Sequence, residues 1–169
     1  MTVETDLTQN EQKLIKHAKE SVAKYNTQRH AQGGIDTLYG FLITKEGSIY
    51  DGAAFEPNLA QATTCGERHA LANLVMNEGY NSKIESIVVA DPVPRIQEKG
   101  TPPCGTCRHL IWQFGTPDTS VIFLQYIQER DEKGNLTWTF PKMEKHLIKD
   151  LYPNPYEPNP RLWDSCTVK

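Results

Sequence analysis

Two short cysteine motifs, each where a helix is expected to begin, constrain this chain more than any other feature. The first reads C-G-E-R at residues 65–68, and the second reads P-C-G-T-C-R at residues 103–108. Each motif opens a run with apolar residues at helical spacing. The first cysteine lies 39 positions before the second, which is the length of a helix–strand–loop unit. A fold that places one strand between two helices can therefore bring all three cysteines together.

The three clustered cysteines favour a zinc site. Zinc prefers thiolate and imidazole ligands, and a structural site closes with four of them, whereas a catalytic site keeps three and leaves a position for water. Cys65, Cys104 and Cys107 supply three. Backbone N–H groups and the dipole at a helix N-terminus also favour thiolate over thiol. The sequence therefore predicts a catalytic Zn²⁺ site.

Glu67 and two arginines give this site a predicted chemistry. Glu67 lies two residues after a ligand, where it can take a proton from the attacking water and pass it to the substrate. That is the chemistry of hydrolytic removal of an amino group from a heteroaromatic ring. Three thiolates and one Zn²⁺ sum to a charge of −1, which Arg68 and Arg108 could offset as donors to sulfur.

Other interpretations of these residues stay open at the level of sequence. A structural zinc knot would need a fourth ligand, either Cys166 or His69. Cys104 and Cys107 also have the spacing of a redox pair, although that leaves Glu67 unexplained. Glu67 could be an ordinary acid of a first helical turn. A non-catalytic zinc domain that binds partners is the corresponding alternative function.

Composition excludes several classes of partner. The chain has 169 residues and a net charge of −3, with no run of Lys or Arg, so a nucleic-acid polymer is not the expected substrate. No apolar run reaches about 18 residues, so no membrane span is expected. Residues 1–10 are polar and acidic, unlike a signal peptide. The C-x-x-C spacing of Cys104 and Cys107 is typical of metal or redox pairs rather than of disulfides. Together these features favour a reducing, cytoplasmic setting, in which Cys166 has no part in the site.

The predicted element order is α-β-β-α-β-α-β-β-α, which favours an α/β fold with a mixed sheet and helices on its faces. Thr8 and Glu11 predict a capping box at the first helix. Gly40 and Gly52, inside strand patterns, predict tight backbone packing or a bulge. The predicted helices span residues 8–29, 65–77, 104–114 and 141–151, and the strands span 37–44, 48–55, 84–90, 120–127 and 136–140.

The motifs resemble those of the cytidine deaminase family from about residue 8 to residue 152. The first is similar to that family's C-A-E-R, the second to its P-C-G-A-C-R, and V-V-A-D at residues 88–91 fits the strand before the second motif. Glu56 stands nine residues before Cys65, where the family's N-x-E substrate motif has its glutamate. The asparagine of that motif falls on Ala54, and Gly66 replaces the usual alanine, which we expect to be a mild change.

The resemblance implies a three-layer α/β/α fold with a five-stranded mixed sheet and helices on both faces. It implies Zn²⁺ on Cys65, Cys104 and Cys107 with Glu67 as proton shuttle. It also implies a small free nucleoside as substrate, and the activity expected first is the deamination of cytidine. It further implies a homo-oligomer, a tetramer or else a dimer, in which neighbouring copies contribute residues to each site.

The departures from the family pattern concern the substrate. The predicted substrate-binding residues are Glu56, Ala54 and Gly66. With alanine at the asparagine position, a substrate with a modified or absent ribose is an alternative to cytidine, as in the related blasticidin S deaminases. We expect a catalytic domain over residues 1–152 and a Pro-rich tail over residues 153–169.

Overall fold

The first helix, α1 (Gln9–Ala31), begins at the predicted cap. In the computed structural model, which describes residues 6–156, Thr8 Oγ1 accepts a hydrogen bond from the backbone N–H of Glu11 at 3.1 Å. A carboxylate oxygen of Glu11 accepts one from the N–H of Thr8 at 2.8 Å. The reciprocal pair satisfies two N–H groups that a helix N-terminus otherwise leaves free. The predicted capping box is confirmed.

Five strands form one mixed sheet in the order β2-β1-β3-β4-β5. β3 and β4 run parallel, and the other neighbouring pairs run antiparallel. A parallel pair needs a crossover connection, and here that connection carries the second cysteine motif. The strands are β1 (Tyr39–Thr44), β2 (Ile49–Ala53), β3 (Ile84–Pro92), β4 (Ser120–Arg130) and β5 (Leu136–Leu147).

Helices cover both faces of the sheet. On β3, Val88 and Ala90 pack in the cluster that α1 covers, whereas Ile87 and Val89 pack in the cluster on the opposite face. That opposite face is covered by α2 (Gly66–Glu78), α3 (Gly105–Phe114) and the short α4 (Ile148–Leu151), and a 3₁₀ turn (Ala60–Ala62) precedes α2. The predicted three-layer α/β/α architecture is confirmed. Within residues 6–156, none of the helices combines the length and hydropathy that a membrane span needs.

The last predicted helix is wrong over most of its length. The sequence predicts a helix over residues 141–151, whereas residues 141–147 continue β5 and only Ile148–Leu151 is helical. Gln125 pairs with Lys142 and Ile127 pairs with Thr139, so two β5 residues, one of them Pro141, face a single β4 residue. Proline lacks an N–H and is tolerated at a bulge of an edge strand. Pro141 therefore marks a bulge rather than a helix start.

Three glycines bring the first turn of α2 into direct backbone contact with the sheet. Gly40 of β1 pairs with Gly52 of β2. A Cβ on Gly40 would lie 2.6 Å from the Glu67 nitrogen, and one on Gly52 would lie 2.2 Å from the Gly66 oxygen. The predicted tight packing of the strand glycines is confirmed. A Cβ on Gly66 would lie 2.7 Å from the Gly40 nitrogen, so this position is also tightly packed. The expectation that glycine in place of alanine is a mild change for the substrate contact stays a prediction.

We expect Gly52→Ala to lower the free energy of unfolding by about 1–3 kcal/mol, because an overpacked contact must displace backbone. Urea unfolding followed by circular dichroism, with a chelator present, measures this without a contribution from bound metal. Gly105→Ala is the matched control, since a Cβ there meets no atom of residues 6–156 within 4 Å and alanine favours helix. Equal stability of the two variants would contradict the backbone contact.

Candidate zinc centre

The N-termini of α2 and α3 bring the three predicted cysteines together. Cys65 and Cys104 are the N-caps of these helices, both with extended backbone, and Cys107 lies in the first turn of α3. The Sγ atoms of Cys65 and Cys104 are 3.8 Å apart, and those of Cys104 and Cys107 are 3.5 Å apart. All three sulfur atoms lie within 4.8 Å of one another.

This spacing fits a tetrahedral metal. Zn²⁺ with Zn–S bonds of about 2.3 Å holds its sulfur ligands about 3.8 Å apart. A disulfide would need about 2.05 Å, and all three cysteines are free. The cluster therefore has the donor set and the spacing of a three-thiolate zinc site.

The helix termini lower the pKa of the thiols, whereas their buried surroundings raise it. Burial works to raise the pKa of Cys104, but hydrogen bonds from the Cys107 and Thr106 N–H groups and from the neighbouring thiols bring this pKa below its ordinary value. Burial, followed by the negative charge of Glu67, raises the pKa of Cys65 and of Cys107. A divalent cation offsets that cost, because metal binding favours the thiolate form.

Glu67 is placed as a buried acid beside these sulfur atoms. Glu67 lies in the first turn of α2 and is only 2% exposed. Its Oε2 has no hydrogen-bond partner within the described residues. Burial raises the pKa of Glu67, although a hydrogen bond from the Cys107 thiol and the charge of Arg68 work against this. A buried carboxylate oxygen without a partner is costly, which suits an atom kept for a ligand.

The two arginines make their described hydrogen bonds to backbone carbonyls. Arg68 donates to the Thr63 oxygen at 3.0 Å. Arg108 donates to the Pro103 oxygen at 2.8 Å and to the Leu151 oxygen at 3.1 Å. These contacts fix the segments that flank each motif. Their predicted role as donors to sulfur stays a prediction.

The fourth ligand of a structural knot is not present in the described cluster, which consists of the three cysteines. His69 turns its Nδ1 to the Ala53 oxygen at 2.6 Å, so this nitrogen carries a proton and is not free to bind a metal. Cys166 lies outside the described residues. The geometry within residues 6–156 therefore favours a three-ligand site.

The predicted substrate-binding residues lie next to the start of α2. Phe55 and Thr64 exchange two backbone hydrogen bonds of 2.9 Å, which closes the loop between them and brings Glu56 close to the first motif. Ala54 is half-buried and its N–H donates to the Leu38 oxygen at 2.8 Å. Glu56 is exposed. Sequence reasoning did not identify Gly40 and Gly52 as part of the site, although a glycine inside each strand was the available signal.

The sequence of this chain is similar to those of known cytidine deaminases. A family model described as the cytidine and deoxycytidylate deaminase zinc-binding region matches residues 8–124. Cytidine deaminase of Halalkalibacterium halodurans is 35% identical over 80 residues, which are 47% of this chain and 56% of that protein. Cytidine deaminase of Sporosarcina psychrophila is 36% identical over 73 residues, or 43% and 49% of the two chains. The chain spans about half the length of the curated relatives it matches.

A solved structure shares the fold. Cytidine deaminase from Burkholderia pseudomallei superposes with a TM-score of 0.55 at 21% identity, over 83% of this chain and 98% of that one. The zinc-binding region of the family model contains Cys65, Cys104 and Cys107. The cofactor that fits this cluster is Zn²⁺.

We expect the purified chain to bind one Zn²⁺, and Cys107→Ala to abolish tight binding because two thiolates cannot hold the ion as three do. Zinc content by atomic emission, together with competition against a chromophoric chelator, measures both. Cys166→Ala is the matched control and should keep the zinc. Loss of zinc in Cys166→Ala would instead support a four-cysteine structural site.

Proposed function

Because the chain belongs to the cytidine and deoxycytidylate deaminase zinc-binding family, we propose that it is a zinc-dependent aminohydrolase. Its substrate would be a small aminated pyrimidine nucleoside or a related heterocycle. One observation carries this proposal: three cysteines at zinc spacing lie beside the buried, partnerless oxygen of Glu67. A structural zinc site has no use for such an oxygen, whereas hydrolysis needs a group that moves protons.

The residues of the chain have distinct parts in this proposal. Cys65, Cys104 and Cys107 would hold Zn²⁺, which when bound supplies Lewis-acid activation of the attacking water. Glu67 accepts the proton that the water loses and delivers it to the ring nitrogen next to the amino-bearing carbon. Glu67 then transfers the proton of the hydroxyl now on that carbon to the amino group, which leaves as ammonia while the carbon becomes a carbonyl. The raised pKa of Glu67 suits a carboxyl that must hold the proton between these steps.

The substrate contacts are proposed from the loop before α2. We place a ribose hydroxyl on the exposed carboxylate of Glu56, and the substrate amino group near the backbone of Gly66. Ala54 has no polar side-chain atom, so the second ribose contact of an asparagine is absent at that position. This favours a substrate with a modified or absent sugar, such as a blasticidin-type nucleoside or a free aminated base, as the second candidate.

A small molecule is a better substrate than a polymer here. The net charge of −3 and the scarcity of clustered Lys and Arg do not provide a track for a phosphate backbone. The three free thiols at the centre suit a reducing compartment, which we propose to be the cytoplasm.

We also propose a homo-oligomer built from the catalytic domain of residues 1–152, with a tetramer favoured over a dimer. Phe55 is 56% exposed and Leu59 is 63% exposed, and both lie in the loop beside the zinc centre, where a neighbouring copy could cover them. The tail of residues 153–169 begins against α3, where Tyr156 and Tyr152 pack on His109.

We expect light scattering to give about four times the chain mass of 19.2 kDa, and a monomer would contradict the proposed homo-oligomer.

The first test is ammonia release by the zinc-loaded chain across a panel. The panel holds cytidine, deoxycytidine, cytosine, blasticidin S, adenosine and guanine. We expect release from at least one pyrimidine-type member. Preference for a nucleoside over its free base would support the ribose contact at Glu56, and the reverse preference would support the second candidate.

Glu67→Gln is the decisive variant for this mechanism. It keeps the size of the side chain but cannot shuttle a proton, so we expect kcat to fall about 10²–10⁴-fold with zinc content unchanged. Glu78→Gln is the matched control, since Glu78 lies at the far end of the same helix and accepts a hydrogen bond from Tyr50. Full turnover in Glu67→Gln would contradict the proton-shuttle role and favour a non-catalytic zinc domain.

A further inference from the structure

The loop between β3 and α3 determines where Cys104 lies. Residues 93–103 have no regular helix or strand and lead directly into this cysteine. Cys107 is fixed inside the first turn of α3 and is fully buried. Cys104 is exposed and has the extended backbone of an N-cap, so its position depends on the chain that precedes it.

Side chains of the neighbouring strands β4 and β5 hold this loop. The Gln125 amide forms two hydrogen bonds with the backbone of Gln97, one to its N–H at 2.8 Å and one to its oxygen at 3.0 Å. Lys142 donates to the same Gln97 oxygen at 3.1 Å and also to the Glu98 oxygen. Glu144 accepts from the Gly100 N–H at 2.9 Å. We call Gln125, Lys142 and Glu144 the loop clamp.

The loop clamp lies on the zinc side of the sheet. Phe123 packs in the cluster beneath α2 and α3, and Gln125 follows it by two residues on β4, so both point to the same face. Lys142 and Glu144 pair directly with Gln125 and Phe123 across the β4–β5 ladder. Gln125 is 2% exposed, and a buried amide is retained only where its polar atoms have partners.

The anchors are coupled stiffly to the cysteine. Gly100 lies directly on Phe123, since a Cβ there would come within 2.6 Å of the Phe123 Cβ. Thr101 donates a hydrogen bond to the Asp91 carboxylate at the end of β3. Only Pro102 and Pro103 separate this anchored threonine from Cys104, and proline has a fixed φ. Little backbone freedom therefore remains between the anchors and the Cys104 sulfur.

We propose that the loop clamp is a positioning device for the zinc centre, which places Cys104 at metal distance from Cys65 and Cys107. The inference rests on the zinc site of the proposed function. It adds residues outside both cysteine motifs that act on the metal through the backbone of the loop. Loss of a clamp contact lets the loop and Cys104 move while Cys65 and Cys107 stay in place.

Lys142→Met tests this inference, with Lys145→Met as its matched control. Both lysines lie on β5 and each binds a backbone oxygen and a carboxylate. Lys142 binds the oxygens of Gln97 and Glu98 and the Glu144 carboxylate, whereas Lys145 binds Asp6 and Glu11 on the α1 side of the sheet. Zinc affinity is measured by chelator competition. The absorption bands of Co²⁺ substituted for zinc report the number and geometry of the thiolate ligands. Thermal unfolding of the metal-free proteins measures the loss of stability separately.

We expect Lys142→Met to lower zinc affinity about tenfold or more and to alter the cobalt bands, whereas Lys145→Met leaves both unchanged. Gln125→Leu and its control Gln128→Leu form a second pair on β4. We expect Gln125→Leu to lower zinc affinity and alter the cobalt bands, and Gln128→Leu to leave both unchanged because Gln128 is exposed. Native affinity and native cobalt bands in Lys142→Met and Gln125→Leu would overturn the clamp alone. Equal losses in the control variants would also overturn it, as a general effect of stability. Failure of the unmodified chain to bind either metal would overturn the zinc centre itself.

Discussion

The backbone contact between α2 and the β1–β2 hairpin is the constraint on which the site depends. Gly40, Gly52 and Gly66 let the first turn of α2 approach the sheet more closely than any side chain would allow. This approach buries Glu67, and burial is the largest cause of its raised pKa. A helix held further out would admit water beside the carboxyl and return it toward an ordinary acid. The chemical character of Glu67 therefore follows from backbone packing.

The two halves of the metal cluster are supported by different means. Cys65 directly precedes the first turn of α2, which packs against β1 and β2, so little can shift this cysteine without disturbing the core. Cys104 follows a loop, and polar side chains of β4 and β5 hold the backbone of this loop by hydrogen bonds. For α2, close glycine packing fixes the position instead. β2 and β3 both run antiparallel to β1 and therefore in the same direction, so the helices that follow them, α2 and α3, begin at the same end of the sheet. Both positive helix ends then face the cysteine cluster and favour the thiolate forms that bind zinc.

Features that short sequence motifs carry could be predicted, whereas strand pairing and individual side-chain contacts between distant segments could not. The capping box at Thr8, the motif-bearing helices and the convergence of three cysteines depend on short patterns, and the structure confirms them. Pro141 was mistaken for a helix start because a proline at a bulge and a proline at a first helical turn are alike in sequence; pairing with β4 decides between them. Gln125 is a polar residue in an apolar strand, but its partner lies 28 residues away along the chain. Only the fold reveals that contact.

The division between rigid and loop-borne parts explains why the resemblance is strong at the metal and weak at the substrate. A side chain at Gly40 or Gly52 would be forced against the backbone of α2, so the packing beside the metal cluster tolerates little variation at these two positions. Ala54 and Glu56 lie between the end of β2 and the exposed loop before α2, where a substitution displaces no core residue. In the proposed function, substitutions at those positions would change substrate preference while the packing around Glu67 stays intact. Under the proposed function, alanine at position 54 is such a change: it removes a polar side chain from the proposed substrate contacts and leaves the buried position of Glu67 as it is.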